Sequence, residues 1–131
     1  MPECIFCKII AGEIPAAKVY EDEKILVFLD INPVNYGHVL IIPKEHYQTM
    51  IDTPDELVAY IFTKAKELMK VIKTAVNADF VVMSVVGVDV PHFHVHLVPR
   101  FKNDGLAGWW PTKKYGENEM AEYAEKIKLS L

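Results

Sequence analysis

Three of the chain's five histidines, His92, His94 and His96, stand at alternate positions in the segment His-Phe-His-Val-His-Leu-Val. Period-two alternation places the three imidazoles on one face of an extended segment and Phe93, Val95 and Leu97 on the other. The uniformly apolar second set marks a strand with one face in the core. The first set must then line a place where imidazole is useful, because burying three half-polar rings without partners is costly. Near neutral pH an imidazole can act as nucleophile, proton carrier or metal ligand. Ligation of one ion by all three rings is awkward, since residues two apart on a strand are about 7 Å apart. A division of labour is easier to build. The two remaining histidines are close in sequence to each other: His38 follows Gly37 at the head of an apolar run, and His46 ends Pro43-Lys44-Glu45-His46.

Cys4 and Cys7 form a single Cys-x-x-Cys near the start of the chain. The spacing is that of half a zinc knuckle, but no second pair exists. A redox Cys-x-x-Cys opens a helix after a strand in a thioredoxin-like pattern, which is absent here. The spacing alone therefore leaves metal ligation and two reduced thiols open. The start, Met-Pro-Glu-Cys, has no basic and apolar leader, so a structural disulfide is not expected and a cytoplasmic location is.

These groups need a scaffold. A chain of 131 residues with 51 % hydrophobic and 24 % charged residues is expected to fold as one domain over residues 1–131 with a substantial core. The 14 Lys and Arg against 18 Asp and Glu leave a net charge of −4. That balance argues against capture of DNA or RNA, which needs clustered cations, but permits binding of a single nucleotide. The apolar runs are strand-length, far below the roughly 20 residues of a membrane span.

Residues 24–30 and 38–42 read as strands joined by the turn signals Asn32-Pro33 and Asn35-Tyr36-Gly37. The spacing predicts a helix over 54–76, with Thr53 as N-cap, Pro54 in the first helical position and Glu56 completing a capping box. Leu57, Ile61, Ala65, Leu68, Ile72 and Val76 form its buried stripe. Residues 80–86 read as a buried strand. From Glu117 a second helix is expected, with Met120, Tyr123, Ala124 and Ile127 on one side. This order implies an α+β domain with a largely antiparallel sheet, one long helix and a C-terminal helix.

Four blocks in order resemble the histidine triad (HIT) superfamily of nucleotide hydrolases and transferases. They are Cys4-Ile-Phe-Cys-Lys-Ile-Ile-Ala-Gly-Glu-Ile-Pro-Ala, Val27-Phe-Leu-Asp-Ile-Asn-Pro, Gly37-His-Val-Leu-Ile-Ile-Pro-Lys-Glu-His and Val90-Pro-His-Phe-His-Val-His-Leu-Val-Pro-Arg. The resemblance covers nearly the whole chain, and its last block is the specific one. It implies the HIT-like fold and His94 as the nucleophile that attacks the α-phosphorus of a nucleoside phosphate derivative, giving a nucleotidyl-imidazole that water hydrolyses. P–N or P–O–P bonds would be cleaved. His96 and His38 would bind phosphate oxygens or assist the leaving group, their separate roles left open.

By the same resemblance, Cys4, Cys7, His46 and His92 would bind a structural zinc ion, as in several bacterial members. Asp30 would accept the ribose hydroxyls, and Phe6, Ile9, Phe28 and Ile31 would sandwich a purine base. Without the family, Asp30 reads equally well as a turn residue and the four apolar residues as plain core. A homodimer pairing through the long helix and a sheet edge is implied as well.

One stretch departs from the nucleoside phosphoramidase pattern of the family. Ser84-Val-Val-Gly-Val-Asp-Val-Pro is shortened: Gly87 remains, Val88 stands where those members have Gln and Asp89 where they have Ser. Valine cannot donate to a phosphate, and an ionised Asp89 would repel one. Either Asp89 turns away or it meets a cationic or hydroxyl part of the substrate. A rival reading follows, in which the chain is a nucleotide-binding or protein-interaction module that keeps the fold with weak or no catalysis. A redox or regulatory role resting on Cys4 and Cys7 alone ranks below both. Downstream, Trp109-Trp110-Pro111 and Lys113-Lys114 either meet a polyphosphate or a second nucleotide, or form a surface turn.

Overall fold

The computed structural model describes residues 3–106 and 111–131. Its aliphatic and β-branched runs form five strands: β1 (Lys18–Glu21), β2 (Ile25–Leu29), β3 (Val39–Pro43), β4 (Phe80–Ser84) and β5 (Val95–Arg100). They make one antiparallel sheet in the order β1-β2-β3-β5-β4. Three helices accompany it, α1 (Ile5–Ile10), α2 (Asp55–Ala75) and α3 (Glu119–Ser130). The α+β class, the antiparallel sheet, the long helix and the C-terminal helix match the expectation. Trp109 and Trp110 lie outside the described residues.

Alternation along the central strands sends side chains to two different cores. Ile25, Val27, Val39, Ile41, Val95 and Leu97 pack against Ile61, Ala65, Leu68 and Ile72 of α2. Leu26, Phe28, Leu40 and Ile42 face the other way and pack against Cys4, Phe6 and Ile9 at α1. Central strands buried on both faces read as continuous apolar runs, which is the pattern of 25–28 and 39–42.

Three local expectations need correction. Thr53 does not cap α2: Pro54 holds the N-cap position, with no side-chain cap, and the Thr53 hydroxyl donates to the Thr49 carbonyl at 2.8 Å. The turn before the helix takes that hydroxyl, so no capping box with Glu56 forms; Asp55 and Glu56 instead place negative charge at the positive end of the helix. The stretch 80–86 is not a buried strand. β4 stops at Ser84 and lies at the sheet edge, with Phe80 43 % exposed and Val85 and Val86 exposed beyond it.

The histidine segment is only partly strand, since β5 begins at Val95. The β3–β5 register pairs Val39 with Leu97 and Ile41 with Val95, so its continuation would set Pro43 opposite Phe93. Proline has no N–H to give the ladder, and the Pro43 carbonyl is taken by the His92 Nε2–H at 2.8 Å. The Phe93 N–H turns instead to the Tyr47 carbonyl, at 2.7 Å. The two-sided alternation survives this break, because Phe93 joins Val95 and Leu97 in the core under α2.

α1 and β1 had no counterpart in the sequence reading. Cys4 is the N-cap of α1, its Sγ accepting the Cys7 N–H at 3.4 Å. No residue of α3 is buried. No described helix is long and apolar enough to cross a membrane.

Candidate functional site

The face of the sheet turned toward α1 carries two adjoining polar clusters. In the first, Cys4, Cys7, His46 and His92 bring their donor atoms within 4.8 Å of one another. The His92 Nδ1 lies 3.4 Å from Cys4 Sγ, 3.6 Å from Cys7 Sγ and 3.1 Å from His46 Nδ1, and Cys7 Sγ lies 3.2 Å from His46 Nδ1. A tetrahedral site built from metal–sulfur and metal–nitrogen bonds of about 2.3 and 2.0 Å has edges of roughly 3.3–3.8 Å. The observed spacings fit that polyhedron, slightly contracted.

The tautomer of His92 fits as well. Its Nε2–H donates to the Pro43 carbonyl at 2.8 Å, leaving a bare lone pair on Nδ1 aimed at the two sulfurs. Burial lowers the His92 pKa, which keeps the ring neutral. Burial, reinforced by the neighbouring Cys4, pushes the Cys7 thiol up to about 11, so metal binding must displace protons here. These four residues can hold a metal ion.

The second cluster is a hydrogen-bonded row of rings. The Val34 N–H donates to His38 Nδ1 at 3.1 Å, so the His38 proton sits on Nε2. That Nε2–H points at His96 Nδ1, 3.0 Å away, and leaves the His96 proton on its own Nε2. Next to it, His94 donates from Nδ1 to the backbone carbonyl of His92 at 2.7 Å, which leaves His94 Nε2 bare. The His94 and His96 ring centroids are 4.9 Å apart, so side by side stand a nucleophilic lone pair and an N–H donor.

Asp30, His38 and His96 also cluster closely enough to suggest a metal. The Val34 N–H argues against it, because His38 Nε2 must keep its proton and has no lone pair to offer. Asp30 Oδ2 lies 3.6 Å from that nitrogen and stabilises the row electrostatically. Burial lowers the pKa values of His38 and His96; for His96 the His94 and His38 rings add to burial, with Asp30 and Asp89 opposing. Both rings are neutral at pH 7.

In front of His94 and His96 opens a cavity of about 460 Å³. Phe6, Ile9, Phe28 and Ile31 line it, as do Asp30, Gly87 and Asp89. Phe6, Ile9 and Phe28 are almost fully covered and make its floor, with the Phe6 ring edge-on to both Phe28 and His94. Ile31, by contrast, is 86 % exposed at the rim. Gly87 has φ +69, a turn conformation that suits glycine, and carries the β4–β5 loop over the cavity.

The side chains assigned from sequence to catalysis, nucleotide binding and metal binding thus fall in two touching clusters and one cavity, whereas Lys113 and Lys114 are exposed and line none of these. What sequence reasoning missed is backbone: the Val34 N–H and the His92 and Pro43 carbonyls decide which ring nitrogen is bare, and no side-chain pattern announces them. Further lining from Ile5, Ile14, Ala16 and Leu40 was also missed, since apolar residues at a pocket look like core.

A model of the HIT domain matches residues 11–103. The adenosine 5'-monophosphoramidase of Candida albicans is 37 % identical over 98 % of this chain and 91 % of its own length. A HIT family protein from Bacillus subtilis has a similar solved structure, with TM-score 0.86, 36 % identity and coverage of 98 % of this chain and 97 % of that one. So does a zinc-bound histidine triad family protein from Mycobacterium smegmatis, with TM-score 0.77, 30 % identity and 99 % coverage of both chains. Ordered motifs, sheet topology and these likenesses agree: the chain belongs to the HIT domain family.

Proposed function

We propose that the protein is a hydrolase or transferase of nucleoside phosphate derivatives that cleaves a P–N or P–O–P bond at the α-phosphorus. One observation carries the reading: the bare Nε2 of His94 and the Nε2–H of His96 stand side by side on a cavity with an apolar floor and one ribose-suited carboxylate. His94 Nε2 attacks phosphorus, and the bond to the leaving group breaks with its electron pair on the departing atom. The His96 N–H meets charge on that atom or on a phosphoryl oxygen. His38 holds the His96 tautomer. Water then attacks the nucleotidyl-imidazole, placing its hydroxyl on phosphorus, and over the cycle its proton goes to the leaving group. Asp30 accepts the ribose hydroxyls, and a purine lies between Phe6, Ile9 and Phe28 below and Ile31 at the rim. The phosphoramidase activity named for the Candida albicans relative supports the P–N bond as a substrate bond.

The metal proposed for Cys4, Cys7, His46 and His92 is zinc, in keeping with the zinc-bound Mycobacterium smegmatis neighbour. Two thiolates and two imidazoles make a closed set, so the ion would supply structure and no open coordination position. A homodimer formed through α2 and a sheet edge, one domain over residues 1–131 and a cytoplasmic location complete the reading.

A second reading rests on the loop: Val88 is 79 % exposed and gives a phosphate no donor. On that reading the chain binds nucleotides or another protein with little turnover. Incubation with an adenosine phosphoramidate and a diadenosine polyphosphate separates the two. The hydrolase reading expects AMP release that collapses in His94→Ala; tight binding without release in the wild type would leave the binding module.

A further inference from the structure

The β3–β5 ladder ends at the Val39–Leu97 pair, one residue short of His38. A turn, not the ladder, therefore delivers the ring that holds His96. Within that turn the Val34 N–H donates to His38 Nδ1 and the His38 N–H donates to the Asn35 carbonyl, both at 3.1 Å. Turn and imidazole form one unit, and its placement decides where His38 Nε2 points. On the β2 side the unit is fastened by the Asp30 N–H, which donates to the His38 carbonyl at 2.9 Å. On the β5 side, where His96 stands, the fastening is a side chain.

That side chain is Asn35. Its Nδ2 group donates to the Pro99 carbonyl at 2.9 Å and to Asp104 Oδ2 at 3.3 Å. Two protons meet two acceptors, so the chemistry of the partners settles which way the amide faces. Neither acceptor is loose. Pro99 is fully buried in β5, three residues beyond His96. The Asp104 side chain is 7 % exposed, pairs with Arg100 Nε at 2.7 Å and accepts the Phe101 and Leu106 N–H groups at 3.0 and 3.1 Å. The Arg100 guanidinium and these amides hold the Asp104 carboxyl well below the usual carboxylate range, so Asn35 donates to a fixed anion. Asn35 itself does not line the cavity.

We propose that Asn35 is a positioning residue for the row of rings: by mooring the His38 turn to Pro99 and Asp104 it keeps His38 Nε2–H on His96 Nδ1. The His96 proton then stays on Nε2, ready for the departing atom or a phosphoryl oxygen. The catalytic part of this inference rests on the hydrolase reading above. An aspartate at position 35 would fill the same space but bring no proton, and its charge would face that of Asp104.

A double-mutant cycle tests it, with AMP release from an adenosine phosphoramidate normalised to folded protein. Asn35→Ala and Asn35→Asp are made in wild type and in His38→Phe, where no Nε2–H remains to be aimed. In the wild-type background both variants are expected to lower kcat on the order of tenfold, with KM nearly unchanged. In His38→Phe the same changes should leave kcat as it is, although both lower stability in either background. The ¹⁵N shifts of the histidine rings give a readout that needs no substrate: Asn35→Ala should move His96 from the Nε2–H form to a mixture of tautomers. An equal loss of kcat in both backgrounds, or an unchanged His96 tautomer, would overturn the positioning role and leave the hydrolase standing. If the wild type releases no AMP, the hydrolase reading falls and takes the catalytic part with it, while the ring shifts still decide the mooring.

Discussion

His94 donates its Nδ1 proton to the backbone carbonyl of His92, 2.7 Å away, and the ring of His92 is held in turn by Cys4, Cys7, His46 and the Pro43 carbonyl. One peptide unit thus joins the thiol–imidazole cluster to the ring proposed as nucleophile. The cluster decides where the His92 carbonyl points, and that carbonyl decides which His94 nitrogen is bare. Loss of order at the cluster reaches the cavity through the backbone of His92 and its hydrogen bond to His94, with no contact between metal and substrate.

Removal of metal should therefore lower stability first and turnover second. Untagged protein is expected to contain about one zinc per chain by elemental analysis, and Cys7→Ser to lose most of it. The melting temperature of Cys7→Ser should fall by several degrees, and AMP release should fall roughly 10- to 100-fold, as for other supporting partners of a site. A protein that is metal-free and melts at the same temperature as Cys7→Ser would remove the cluster from the account.

His38 makes a different prediction, because it acts on orientation. Replacing it by phenylalanine removes the Nε2–H that holds His96 Nδ1 and strands the Val34 N–H without an acceptor. Because Val34 is 52 % exposed, losing that bond should cost about 0.5–1.5 kcal/mol. Turnover should drop on the order of 10- to 100-fold, with the nucleotidyl-His94 form still detectable by mass spectrometry after rapid quench. Wild-type turnover in His38→Phe would show that the relay does not serve the reaction.

The same pair sets a pH dependence of stability. Burial lowers the folded-state pKa values of His38 and His96 below the ordinary histidine value of about 6.5. On acidification the unfolded chain takes up these protons before the folded one, so the contribution is complete above about pH 6.5 and is lost as pH falls through the folded values. Urea unfolding of wild type against His38→Phe, at pH 8 and pH 5.5, should show a steeper loss for the wild type. Parallel loss in the two proteins would count against burial of His38 as the cause.

How much of this was legible beforehand follows from what each element depends on. β2, β3 and α2 announce themselves because burial on two faces, or along one stripe, writes a long apolar pattern, and the two clusters do so because Cys and His are rare and their spacing is unusual. β4 was misread as buried because an apolar run is also compatible with an edge strand, and a run carries no record of its neighbours. The break at the head of β5 depends on Pro43 lying opposite Phe93, a fact of register between segments fifty residues apart. The capping box failed for a local reason, since Thr53 finds a nearer acceptor in Thr49. The ring tautomers were beyond reach because backbone groups assign them.

The turn that delivers His38 is the last place where backbone and chemistry meet. Gly37 has φ +102, and a Cβ there would stand 3.1 Å from Val76 Cγ1 and 3.4 Å from Pro99 Cγ. Both obstacles belong to packed elements, the end of α2 and strand β5, so neither yields freely. Gly37→Ala should cost about 1–3 kcal/mol in unfolding free energy, from a backbone conformation that side chains resist and from the tight contact. If the turn shifts to relieve that contact, His38 moves with it and loses its aim at His96 Nδ1. Activity should then fall by more than the small loss of folded protein explains, and AMP release normalised to folded protein is the measurement. Activity that tracks the folded fraction alone would show that the turn serves stability and leaves the row of rings untouched.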